Sequence, residues 1–265
     1  MNIFFHELKA YRKSTFVWTV SLVAILVLFM SLFPSFSKDI DEVNKLLEGF
    51  PEPVRKAIGL EIGSLGTILG YYSYCFLYLT LCGAIQAMNL GTSIISKEVR
   101  EKTADFLLTK PITRGQIITA KILSALTSLL VTNVIFLIAS NVTANVVKTE
   151  AYDSKAFLMI SITLFFVQLI FLAIGLVTSV IVPKIKSVLT VSLGTVFAFF
   201  LIGMLASTGE DEVKRYLSPF KYFDHRYIIE HSSYELSFVI VGIGIVVISI
   251  VATFLIYIKR DIHTV

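Results

Sequence analysis

Side chains able to carry chemistry are few in this 265-residue chain, and their spacing decides against most of the reactions they could support. The four histidines, His6, His225, His231 and His263, are scattered over loops and tails. His225 follows Asp224 and His231 follows Glu230, pairs that could supply a metal ligand or a base. No H-E-x-x-H spacing accompanies them, so both read as solvated loop residues. Cys75 and Cys82 lie seven apart, on one helical face but two turns from each other, which is too far for a disulfide and implies no metal site. A G-x-x-x-x-G-K-S/T phosphate loop is absent, so the chain does not itself hold ATP by that route. No nucleophile–base pair can be assembled. The sequence predicts neither a catalytic residue, a bound metal nor a cofactor of its own, and gives no sign of nucleic-acid binding.

What polarity the apolar segments do contain is neutral: Gln86, Asn89, Asn133, Asn141 and Gln168. Such amides either hydrogen-bond between helices or line a substrate path. A second pattern is steric. Gly83, Ala87 and Gly91 recur every four residues and make one flat stripe, with Gly66 and Gly70 repeating the spacing upstream. Stripes of this kind let helix backbones approach closely, within the chain or against a second subunit.

The elements that must position these groups are set by hydropathy. Mean hydropathy is +0.80, with 55% hydrophobic and only 16% charged residues, too little charge to cover a soluble domain of this size. Six apolar runs, about 15–33, 67–95, 117–142, 156–182, 188–207 and 236–258, reach the roughly 20 residues that a helix needs to cross hydrocarbon. None shows strand-like alternation, and helices satisfy their own backbone in lipid. The expected fold is an all-α polytopic membrane protein, residues 1–265 forming one transmembrane domain. The first run is too long for a signal-peptide core and reads as a retained anchor. Before it, Phe4, Phe5, Leu8 and Tyr11 fall near helical spacing beside Lys9, Arg12 and Lys13, which predicts a helix lying in the membrane interface against lipid. The connections 34–66 and 208–235 read as loops with short amphipathic or aromatic-rich elements.

Six spans leave both ends on one side. The termini together with 96–121 and 183–187 carry 13 of the 23 Lys/Arg, in a shorter total length than the three opposing connections with 10. That density predicts cytoplasmic termini in a cell membrane. The middles of all six spans lack Asp, Glu, Lys and Arg. Ion-coupled carriers usually keep ionisable groups there, so a secondary carrier is disfavoured.

Charge is instead concentrated in "SKEVREKTADFLLTKPITRGQIITAK", residues 96–121, with six basic and three acidic side chains. Good helix formers run to Leu108, Pro111 stops that helix, and Thr113 with Gln116 forms a capping box for the next. Helix, corner and helix make a charged elbow suited to a soluble partner. Glu98, Arg100, Glu101, Thr103, Phe106-Leu107-Leu108, Pro111-Ile112-Thr113-Arg114, Ile117 and Ala120-Lys121 resemble the signature of type-2 permeases of ATP-binding-cassette (ABC) exporters. Lys102 departs from it where many members have glycine. The resemblance implies that 96–114 is a coupling helix between spans 2 and 3. Glu98, Arg100, Glu101 and Lys102 would be polar contacts, and Val99, Thr103, Phe106, Leu107 and Pro111 apolar or shaping ones, to a cytoplasmic ATPase present in two copies. ATP and Mg would sit on that ATPase, and a second permease, identical or paralogous, would complete the exporter. An amphipathic or hydrophobic cargo, such as a peptide, drug or lipid-like molecule, suits the apolar interior. A non-transporting membrane anchor or regulator is the other reading.

Overall fold

The computed structural model describes residues 3–60, 62–100, 113–182, 184–208 and 212–259, and every regular element among them is helical. In chain order these are α1 (Ile3–Lys38), α2 (Ile40–Glu48), α3 (Glu52–Ile58), α4 (Ile68–Arg100), α5 (Arg114–Val147), α6 (Ser154–Ile181), α7 (Val188–Ala206), α8 (His225–His231) and α9 (Leu236–Lys259). Six of them, α1, α4, α5, α6, α7 and α9, are long and apolar enough to cross a membrane. Short 3-10 turns at Ser64–Gly66, Glu212–Leu217 and Pro219–Lys221 fill the connections.

Local sequence explains where the helices begin and end. Thr113 and Gln116 make the reciprocal capping box at the start of α5, each side chain bonded to the other's backbone nitrogen. Asp153, Ser187 and Asp224 accept from the first exposed amides of α6, α7 and α8. Asp153 also accepts from Ser232, and these bonds hold its carboxyl below the usual range. Pro51 opens α3, and Gly59 closes it in the left-handed region at φ 75°. The N-terminal residues from Ile3 are helical and run into the first apolar run without interruption, so that α1 is a single helix of 36 residues.

Packing is uneven. The widest seam joins α4 to α6, and the next joins α1 to α5. On α4 the small-residue stripe permits the first. A methyl group on Gly91 would overlap the carbonyl oxygen of Leu172, and one on Gly175 would meet Met88 and Thr92 backbone. Two glycines facing each other therefore bring the backbones into contact, and Gly83 makes room for the Leu164 and Gln168 side chains. The α1 seam uses Leu22, Leu26, Met30 and Phe33 at three- and four-residue steps, the spacing of one helical face. By contrast α9 leaves Ile240, Ile243, Val247, Ile248, Val251 and Leu255 exposed, as a lipid- or partner-facing helix would.

Candidate functional site

The first element of the site is one end of the bundle, where the start of α1, the end of α4, the start of α5 and the end of α9 meet. Helix geometry fixes the approach, and polar contacts then hold it. Tyr11 and Ser93 share a hydrogen bond of 2.9 Å, the Lys97 ammonium lies 5.8 Å from the Tyr11 ring centroid, and Arg114 donates to the Ile258 carbonyl at 3.1 Å. At the centre, the Lys121 ammonium donates to Glu7 Oε1 at 2.9 Å and to the Ile94 carbonyl at 2.7 Å. Lys121 has no solvent exposure and Glu7 has 5%.

A buried pair of this kind holds its helices by penalty as much as by attraction. Losing one partner strands the other charge in a dry site, whereas moving the three helices together keeps it satisfied. One ammonium therefore ties the N-terminal helix to both helices that flank residues 101–112. The sequence marks Lys121 as the last residue of a charged stretch and of the permease signature, and singles out Glu7 nowhere. The signal was present. Lys121 lies three or four residues from Ile117, Ile118, Ser124 and Ala125, all on the buried face of α5.

Of the residues predicted to meet a soluble partner, Glu98, Val99 and Arg100 extend the α4 backbone. Glu101, Lys102, Thr103, Phe106, Leu107 and Pro111 lie outside the described residues. What the structure places is their frame: α4 leads into the segment, and the Thr113 capping box leads out of it.

The neutral amides form a second cluster, in the interior. Asn133 donates to Gln168 Oε1 at 2.5 Å, Gln168 donates to Gln86 Oε1 at 3.0 Å, and Gln86 donates to Thr132 Oγ1 at 3.1 Å. Thr132 in turn shares a bond of 2.9 Å with Thr19. These five side chains link α1, α4, α5 and α6, and each is at most 5% exposed. Interhelical hydrogen bonds in lipid contribute on the order of 0.6 kcal/mol each, so the network adds a few kcal/mol and fixes register. Asn89 is half-buried and takes no part, and Asn141 is exposed and accepts from Asn145. Gly83, Ala87 and Gly91 are covered by α6 of the same chain.

At the opposite end lies a cavity of about 890 Å³, walled by α3, the start of α4, the α5–α6 connection, residues 206–207, Arg215 and residues between 220 and 230. Arg215 organises its rim. It pairs with Glu235 through both guanidinium nitrogens, reaches the Lys221 carbonyl at 3.3 Å and stacks 4.2 Å from the Phe238 ring centroid. His225 departs from the solvated loop residue predicted. Its ring is half-buried and edge-on to Phe76 at 5.3 Å, beside the backbone of Ser73. Burial pushes its pKa down to about 4, against a smaller opposing effect of Asp224. The packing of Phe76, a residue of α4, could not be foreseen from a loop sequence. His231 is exposed and stacks on Tyr227.

Among the described residues no three His, Cys, Asp or Glu side chains gather as a metal site. The bonded helix ends join α1, α4, α5 and α9. The family described as "ABC-2 family transporter protein" matches residues 1–262. No curated protein matches the chain.

Proposed function

The chain belongs to the ABC-2 transporter family, and from that premise we propose that it is the permease subunit of an exporter driven by a separate ATPase. The end carrying the N-terminus faces the cytoplasm, as the Lys/Arg distribution favours. The first turns of α1 lie at that interface against lipid. Residues 96–114 form the coupling segment, with Glu98, Arg100, Glu101 and Lys102 as polar contacts and Val99, Thr103, Phe106, Leu107 and Pro111 as apolar or shaping ones. Two ATPase copies, carrying ATP and Mg, act on two permeases.

The observation that carries this reading is the buried Lys121–Glu7–Ile94 contact beside the coupling segment. A push on residues 101–112 reaches α4 and α5 directly, and Lys121 delivers it to α1 as well. The two widest seams, α4–α6 and α1–α5, then carry it to four of the six long helices. Rigid close-packed helices pass on such a displacement instead of absorbing it. An ion-driven carrier is disfavoured by the same geometry. The Lys121 charge is engaged by Glu7 Oε1 and by the Ile94 carbonyl in a contact that ties helices together, and the interior network is built of neutral side chains.

Reversing the elbow charges tests the assignment. Glu98→Lys with Glu101→Lys is expected to reduce recovery of the ATPase on the purified permease several-fold while the thermal unfolding of the permease stays unchanged. Full ATPase recovery with the folded double variant would reject this contact face.

A further inference from the structure

The cavity at the end away from Lys121 has cationic and anionic walls, and among the described residues all but one of the lysines and arginines that line it are engaged. Lys56 pairs with Glu52 at 2.6 Å, Arg215 is held by Glu235, and Arg226 has an interaction partner. Lys221 differs. It lines the cavity, yet among the described residues its ammonium has neither a hydrogen-bond acceptor nor a carboxylate within ion-pair distance. Its position is not that of a free surface lysine. The stem runs against the last turns of α7, where Gly203 has no Cβ and the lysine Cγ would lie 3.6 Å from one. Ser218, three residues earlier, donates to the Phe199 carbonyl at 2.7 Å and pins the turn that carries Lys221. Burial lowers its pKa; Asp224, beyond ion-pair distance, opposes this, and the Arg215 charge adds a smaller lowering. A fixed, half-buried and unmatched ammonium is costly unless an anion completes it.

Two more groups on the same wall favour a ligand over bulk water alone. The Ser73 hydroxyl is buried at the cavity without a partner among the described residues, and the His225 ring beside it sits close enough to feel the Lys221 charge. Around them Leu69, Leu77, Phe220 and Phe223 give the cavity an apolar lining. A volume of about 890 Å³ matches that of pockets for small organic ligands.

We propose that this cavity binds an anionic amphipath, its acidic head (a carboxylate or a phosphate) on Lys221 and Ser73 and its chain or ring on Leu69, Leu77 and Phe223. The site stands independently of the transport reading, because binding at equilibrium needs neither ATP nor a partner subunit. If the proposed orientation holds, it opens to the outer side.

Native mass spectrometry of the purified chain in non-ionic detergent, titrated separately with dodecanoate, dodecyl phosphate and dodecylamine, tests it. One anion or both should bind saturably, and whichever binds more tightly identifies the head group, while the amine should not compete. Lys221→Gln should weaken anion binding by about ten-fold, the usual loss for a charge-assisted contact. Lys221→Arg should retain it, and Lys56→Gln, which alters a paired lysine on the same rim, should change it by less than about two-fold. Equal anion affinity for wild type and a Lys221→Gln protein of unchanged thermal stability would overturn the proposal, as would amine binding as tight as anion binding.

Discussion

At one end of the bundle, Lys121 and Glu7 meet at 2.9 Å with almost no solvent exposure, and a backbone carbonyl takes a further bond of the ammonium. At the other, Arg215 is held by Glu235 on the rim of a large cavity, while Lys221 has its stem packed and, among the described residues, no acceptor for its head. Both ends bring basic groups out of bulk water. The first uses them to lock three helices and leaves no room for a ligand. The second leaves both room and a missing partner. The proposed roles, coupling at one end and ligand binding at the other, would each explain why charge is treated in these two ways.

The largest expected effect breaks the dry pair. Lys121→Met strands the Glu7 carboxylate and should destabilise the chain by about 3–5 kcal/mol, visible as a large fall in unfolding temperature in detergent. Adding Glu7→Leu should recover most of the loss, because an apolar pair needs no compensation. A single variant as stable as wild type would remove this contact as the joint.

The seam between the two ends comes next. Gly91→Ala sets a methyl on the Leu172 carbonyl and should cost about 1–3 kcal/mol through forced separation of α4 and α6. Gly244→Ala has open space around it and should be neutral, or stabilising by up to about 1 kcal/mol through helix propensity. Equal effects at the two glycines would show that α4 and α6 do not touch as described.

A smaller contrast lies at the rim of the cavity. Arg215→Gln leaves Glu235 without its partner and should cost about 1–3 kcal/mol. Lys221→Gln, which removes an unmatched charge, should leave stability unchanged or raise it. Comparable losses in both variants, read by thermal unfolding, would mean that Lys221 is paired.

The smallest effect is one of pH. The folded value of His225 is about 4, below the ordinary 6.5. Between those values the unfolded chain takes up a proton that the folded chain refuses, so stability should fall as pH drops from about 6.5 to 4. His225→Gln should flatten that part of the stability profile. An identical slope in the variant would place the histidine in ordinary solvent.

Much of this architecture can be read from the residues. Six apolar runs predict six long helices because length and composition are local properties, and the Thr113–Gln116 box and the Gly83–Ala87–Gly91 stripe are likewise contained within a few turns. What escapes is pairing between distant segments. Glu7 and Lys121 are 114 residues apart and each looks like one more charge in a charged flank. Thr19 and Thr132 say nothing, as single hydroxyls, of their part in a four-helix network. His225 reads as a loop residue until Phe76 is placed against its ring. Lys221, in a short aromatic-rich turn, gains its meaning only from a cavity that several elements enclose.

The most direct test of the central claim is purification of the tagged chain from its native membrane in mild detergent, with identification of the proteins that co-elute. A cassette ATPase bearing its own phosphate loop, in equimolar amount with the permease and lost when residues 98–101 carry reversed charge, is the predicted result. An intact, folded chain that elutes without such an ATPase, under conditions that preserve other complexes of this family, would contradict it.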